Sequence, residues 1–180
     1  MRHAWADRLA SVFVEWTGST AEDESGYAEM ERRVCSELYR LRWRECLIVG
    51  VARKMICHLH APDAESVRVA LRQARIEVDA VWAGTVHDVD ELAAADVAVE
   101  RRFPTQLPAN VEKTLAWLQR EWLKPSQLRL VRAIVPNSRD RVICLCAAPD
   151  PDNERYSRVA GAGVGYDWVR SVNLASSGAR

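Results

Sequence analysis

The feature that most constrains the fold is an internal repeat. Residues 41–48 align with residues 128–135 at an offset of 87 positions, and the alignment continues without a gap from 55–57 to 142–144. The same offset carries the Ala-Pro-Asp of 61–63 onto that of 148–150. Landmarks in the same order at nearly constant spacing indicate a duplicated unit, so the chain is expected to fold as two similar halves.

Each half shows the same pattern of apolar residues. Short runs rich in β-branched and aromatic residues indicate strands, and apolar residues at helical spacing indicate helices. The first half predicts strands over 12–16, 47–51, 55–59 and 78–86, and helices over 27–41 and 64–74 with Asp63 as the N-cap. The second half predicts strands over 97–101, 128–135, 141–147 and 166–174, and helices over 108–123 and 153–160.

The order strand-helix-strand-strand-helix-strand is typical of the ferredoxin-like fold. We therefore predict an α+β protein of two tandem ferredoxin-like (βαββαβ) units, over residues 8–90 and 91–176. Residues 12–14 and 55–57 are apolar at consecutive positions, as in strands that are buried on both faces. This predicts that the two antiparallel sheets pack face to face as an internal pseudo-dimer.

Charge and cysteine content restrict the class of partner. The chain has 25 basic and 25 acidic residues, which argues against a nucleic-acid or membrane-surface binder. We find neither a membrane-spanning apolar run nor a secretory signal. Its five cysteines are odd in number and form no Cys-x-x-Cys pair, so we expect a reduced, cytoplasmic protein. Association into a homo-oligomer stays open.

Several motifs together resemble a known family. They are Val14-Glu15, Arg42-Trp43, the run 56–67 that contains Ala-Pro-Asp, and Asp79-Ala80-Val81. They are similar to a small bacterial domain of formerly unknown function whose characterised member is a nickel-binding protein. The resemblance implies ferredoxin-like units that pair as dimers, fused here in one chain, and nickel or another divalent metal as the ligand.

The family's histidines are replaced in this sequence. The positions that match them are Glu45 and about Ala70 in the first half, and Arg132 and about Ser157 in the second. Any metal site must therefore be built from other residues.

The predicted metal ligands are Glu15, Glu45, His58 and His60. His58 and His60 lie two apart on a strand and so share a face. With the first and third strands taken as parallel neighbours, Glu15 and His60 end close together, and Glu45 approaches His60 from the second strand. Imidazole and carboxylate ligands suit a divalent transition metal. The alternative interpretation is that these are hydrogen-bonded polar groups at a sheet rim.

Other polar residues have structural interpretations. Glu15 and Glu100 hold equivalent places and are expected in ion pairs, with Arg42 or Arg44 in the first half and Arg101, Arg129 or Arg132 in the second. The alternative is a buried carboxyl group with a raised pKa that acts as an acid or base. Cys144 and Cys146 share a strand face and are expected to be buried, with a soft-metal or redox role as the alternative. The glycines of 161–165 follow a helix, so they indicate a turn rather than a phosphate loop. The seven tryptophans are expected in cores, or lining a cavity.

The function that these patterns favour is a non-catalytic cytoplasmic binding protein. Its ligand would be a divalent metal such as nickel, or a small molecule held between the sheets. One alternative is a small cofactor-free enzyme of the oxygenase type, with a pocket between sheet and helices. Another is an assembly module without a ligand.

Overall fold

The structure is a computed structural model of the 180-residue chain. It describes residues 9–17, 24–34, 36–49, 54–90, 93, 95, 97–124, 127–149, 168–170 and 173–176. Within these ranges the strands are β1 Ala10–Thr17, β2 Arg42–Val49, β3 Lys54–Ala61, β4 Ala80–Asp88, β5 Val97–Arg102, β6 Arg129–Pro136, β7 Arg141–Ala147, β8 Trp168–Arg170 and β9 Asn173–Ser176. The helices are α1 Glu24–Arg33, α2 Ser36–Tyr39, α3 Ala64–Gln73 and α4 Val111–Trp117, which continues as a π-helical segment, Leu118–Leu123. The α+β class and the antiparallel pairing are as expected.

The chain divides into two compact units. Unit 1 contains Met1–Gly84 and Asn173–Arg180, and unit 2 contains Thr85–Val172. The division thus falls six residues before the end of the predicted first repeat, and the C-terminal segment belongs to unit 1. The strand predicted over 166–174 is two shorter strands, of which β8 pairs with β5 and β9 pairs with β2.

Unit 1 is an antiparallel sheet of ferredoxin-like type with the strand order β4-β1-β3-β2-β9. Alternate residues of β1 and β3 face the helices, so Val12, Cys57 and Leu59 pack with Met30 of α1 and Val67 of α3 in one buried cluster. The residues between them point to the other face of the sheet, where Phe13 and Ile56 are also buried. The strands are therefore buried on both faces, as their sequence predicted. Face-to-face packing of two sheets stays a prediction.

Unit 2 has the equivalent strand order β8-β5-β7-β6, and its neighbouring strands are also antiparallel. The end of β4 from Thr85 belongs to this unit, and just beyond it the Val89 amide donates to the Val131 carbonyl at 2.9 Å. Its core joins the helix-facing residues of β5, β6 and β7 to α4 and the π-helical segment: Val97, Val99, Leu115, Leu118, Leu123, Leu130, Ala133, Val142, Cys144 and Cys146.

The start of α3 at Ala64 is as predicted, whereas α1 begins three residues before and α4 three residues after the predicted start. Asp63 caps α3 by accepting a hydrogen bond of 2.7 Å from the Ser66 amide, and Asn110 caps α4 by accepting from the Lys113 amide at 3.3 Å. The helix predicted over 27–41 is two helices, α1 and α2, and ends before Arg40, whose φ is 56°. The predicted helix over 153–160 and the glycines of 161–165 lie outside the described residues.

The expectation that every cysteine is a free thiol is wrong at Cys46 and Cys57. Cys46 of β2 lies directly opposite Cys57 of β3, and the two form a disulfide. The two cysteines are 11 positions apart and form no Cys-x-x-Cys motif. The register of the β2–β3 hairpin brings them together. Cys144 and Cys146 are free and buried, as predicted.

Candidate functional site

The strand register corrects the predicted metal site. β1 and β3 are antiparallel, not parallel, and Glu15 lies opposite Ile56 while His60 lies opposite Ser11. In a strand-helix-strand unit it is the first and second strands that are parallel. A third strand that forms a hairpin with the second and lies between the two must oppose both. Glu15 and His60 are consequently separated along the strands, and the prediction that they lie together is wrong.

Glu15 is held in a buried ion pair. Its Oε2 lies 3.0 Å from Nζ of Lys54, and its Oε1 accepts a hydrogen bond of 2.7 Å from Nε1 of Trp82. The side chain is 8% exposed. An ion pair was expected here, but with Arg42 or Arg44. Lys54 takes that place because antiparallel pairing brings the start of β3 beside the end of β1.

Glu45 and His58 do lie together. They are partners across β2 and β3, and Nδ1 of His58 is 3.9 Å from Oε1 of Glu45. Nε2 of His58 is 3.0 Å from the Ser11 hydroxyl, and the imidazole stacks on Phe13 with ring centroids 4.7 Å apart. These contacts fix the ring on both edges and on one face. Glu45 was expected to approach His60. It instead approaches His58, which lies two residues before His60 on the same face of β3.

His60 lies next to this pair. Its ring meets that of His58 edge to face, with centroids 5.2 Å apart. Burial is the main cause that lowers the pKa of His60, and the positive potential of His58, Arg44 and Arg42 lowers it further. A neutral imidazole retains a lone pair for a metal or a proton. Across the described residues, no three or more His, Cys, Asp or Glu side chains form a group suited to a metal ion.

Glu100, which the sequence alignment of the two halves places opposite Glu15, is also ion-paired. Its Oε1 lies 3.0 Å from Nε of Arg102 and 3.2 Å from Nη1 of Arg141. The expected partners were Arg101, Arg129 or Arg132. Arg129 instead pairs with Asp90, and Arg132 pairs with Asp88.

The two free thiols are chemically quiet. Burial raises the pKa of Cys144 to about 12 and raises that of Cys146 as well. Since the thiolate is the nucleophile and the metal ligand, both side chains are expected to behave as small apolar residues.

A cavity in unit 1 is the feature that sequence reasoning missed. It is open to solvent on one side, has a volume of about 510 Å³ and lies between α3 and the start of β4. Leu71, Ile76, Val78 and Val81 supply its apolar surface, and Arg68, Arg72 and Glu77 its charged groups. A pocket between sheet and helix was considered from the sequence, but without residues. The signal was weak because the apolar wall residues come from three separate segments: the predicted helix over 64–74, Ile76 after it, and the predicted strand over 78–86.

Proteins of solved structure resemble this chain over nearly its whole length. No protein-family model matches the sequence, and no curated protein matches it significantly. An anthrone oxidase-like protein of solved structure is 14% identical, with 97% of this chain and 95% of that chain covered and a TM-score of 0.49. A proposed monooxygenase from Lactobacillus acidophilus NCFM is 9% identical, with 96% and 99% covered and a TM-score of 0.42. One from Fusobacterium nucleatum subsp. nucleatum is 11% identical, with 96% and 95% covered and a TM-score of 0.39.

None of the described helices is long and apolar enough to cross a membrane.

Proposed function

We propose that the protein binds a small, mainly apolar organic molecule in the cavity of unit 1. The observation that carries this proposal is the cavity of about 510 Å³ between α3 and β4. Its size falls within the range of roughly 300–1,000 Å³ that is usual for small-molecule sites, and such sites are typically apolar with a few placed polar groups.

The wall of the cavity is built from elements that the core holds in place. Leu71 is buried in the cluster of unit 1, and Ile76, Val78 and Val81 pack against that cluster. An apolar ligand would therefore contact side chains that are already ordered, which reduces the entropy lost on binding.

The charged groups of the cavity are also positioned in advance. Arg68 donates to the Val81 carbonyl at 2.7 Å and to Glu65 at 3.1 Å. Arg72 donates to Glu65 at 2.9 Å. Because Glu65 offsets part of the positive charge, the cavity favours a ligand with an apolar body and a single polar group at the charged side.

A cavity-filling variant tests the proposal. 2-Naphthol is titrated into the protein and followed by saturation-transfer NMR and calorimetry. Val78→Phe places a ring in the cavity and should weaken binding by at least about tenfold, which is about 1.4 kcal/mol. Val69→Phe is the matched control, because Val69 is a half-buried residue of α3 outside the cavity wall. Equal binding by both variants, or no binding to the unmodified protein, would refute the proposal.

Divalent metal binding is the second candidate, favoured by the contact between Glu45 and His58 with His60 beside them. Nickel is the metal that the family resemblance implies. Thermal unfolding with added nickel should show a rise in midpoint that His58→Ala removes and His87→Ala retains. A rise that survives His58→Ala would exclude this site. Glu15 is not part of the proposed set, since it pairs with Lys54.

We further propose that the two units are tandem copies of one ferredoxin-like module. The support is the equivalent strand order of β4-β1-β3-β2 and β8-β5-β7-β6, together with the sequence repeat. Cytoplasmic location and the lack of a nucleic-acid partner stay predictions from composition.

A further inference from the structure

Unit 2 holds a cation enclosed by aromatic rings. The guanidinium carbon of Arg101 lies 5.3 Å from the ring centroid of Phe103, 5.0 Å from that of Trp117 and 5.1 Å from that of Trp122. All three distances are within the range of cation–π attraction. Arg101 was one of three expected partners of Glu100, and it does not line the unit 1 cavity.

Local structure explains how the cluster forms. Val97 and Val99 of β5 belong to the core beside the helices, and because the residues of a strand alternate between two faces, Arg101 lies on that same side while Glu100 points away. Phe103 follows the end of β5 and packs against the same core. Trp117 and Trp122 are five positions apart, which in an α-helix would separate them by about 140° around the axis. The chain is π-helical over Leu118–Leu123, and its wider turn brings the two indoles to the same cation.

The charge of Arg101 lacks an anion within the described part of the chain. Its Nε is buried and has no hydrogen-bond partner there. The neighbouring arginines differ, because Arg102 and Arg141 both reach Glu100. A buried donor without an acceptor is unfavourable, and attraction to ring faces supplies no hydrogen-bond acceptor for the N–H.

We propose that Arg101 binds the carboxylate of a small aromatic acid. A carboxylate can accept from Nε–H and from one Nη–H at the same time, a fork that matches guanidinium geometry. One carboxylate balances one cation, and the surrounding rings offer apolar and aromatic surface to the body of the acid. This site lies in unit 2 and shares no residue with the unit 1 cavity.

The test uses benzoate as the probe and benzyl alcohol as its uncharged analogue. Benzoate is titrated into ¹⁵N-labelled protein while the Nε–H resonance of Arg101 is followed, which needs no variant. The expected result is a saturable shift of that resonance with benzoate and none with benzyl alcohol. No shift with benzoate at millimolar concentration would overturn the proposal. So would equal shifts with both compounds.

Variants of Arg101 distinguish the two-point hydrogen bonding of the guanidinium from the effect of its positive charge. By calorimetry, Arg101→Lys keeps the charge but loses Nε–H, and should weaken benzoate binding by at least about tenfold. Arg101→Gln should abolish it. Arg120→Gln is the control and should leave benzoate binding unchanged, because Arg120 lies in the π-helical segment beside Trp122 but pairs with Glu121. Undiminished binding by Arg101→Gln would overturn the assignment, and failure here would leave 2-naphthol binding in unit 1 unaffected.

Discussion

Burial should make the Glu15–Lys54 ion pair far more important to stability than a surface pair of the same geometry. The atoms Nζ and Oε2 are 3.0 Å apart, and the two side chains are 14% and 8% exposed. The matched surface pair is Arg68–Glu65, at 3.1 Å with side chains 46% and 59% exposed. The N···O distance is thus nearly the same in the two pairs, whereas their exposure differs severalfold.

The expected magnitudes follow from desolvation. Removing one partner of a buried pair leaves the other charge in a poorly solvated site, at a cost of about 3–5 kcal/mol. We expect about 3 kcal/mol for Glu15→Gln or Lys54→Met, because Lys54 retains some exposure and glutamine retains an acceptor for Trp82. The double variant should lose little more than either single one, which gives a coupling energy of about 2–3 kcal/mol.

The assay is a double-mutant cycle by urea unfolding at neutral pH. The surface cycle, with Glu65→Gln and Arg68→Gln, should give a coupling of about 0.2–1 kcal/mol. A coupling for Glu15 and Lys54 that is no larger than the surface value would refute the claim that burial controls this pair. It would also remove our reason for excluding Glu15 from the metal-binding proposal.

Three further predictions concern single features of unit 1. Asp63→Ala should lower the free energy of unfolding by about 1 kcal/mol in urea while Asp63→Asn changes it little, since only alanine removes the N-cap; equal losses would contradict this. The lowered pKa of His60 means that the unfolded chain binds more protons than the native protein near pH 6. The contribution of His60 to the free energy of unfolding should therefore be fully present above pH 6.5 and decrease as the pH falls below that value. Urea unfolding at several pH values should show that the free energy of unfolding decreases less steeply with falling pH in His60→Asn than in the unmodified protein. The disulfide predicts that iodoacetamide, added to unreduced unfolded protein, modifies Cys144 but not Cys46 or Cys57, which peptide mass spectrometry reads directly.

Local patterns predicted the elements well, because their causes are local. The apolar run of 141–147 coincides with β7, and Asp63 caps α3 as predicted, through a hydrogen bond that spans three residues. The two buried faces of β1 were also visible, since Val12 and Phe13 are adjacent and both apolar.

The errors in the candidate site arise from strand direction and register, which are not local. Assigning β1 and β3 as parallel placed Glu15 beside His60, and antiparallel pairing separates them. The disulfide was missed for the same reason. Cys46 and Cys57 are paired only by the register of β2 against β3, which no local sequence pattern around either cysteine indicates. The cluster around Arg101 depends on π-helical winding, which the pattern of α-helical periodicity over 108–123 did not indicate.

The most direct test of the account is to locate a bound ligand in unit 1. Protein with labelled leucine, isoleucine and valine methyl groups is mixed with 2-naphthol, and intermolecular nuclear Overhauser effects are recorded. We expect contacts between ligand protons and methyl groups of Leu71, Ile76, Val78 and Val81. Bound 2-naphthol whose contacts fall on other methyl groups, with none on these four residues, would contradict it.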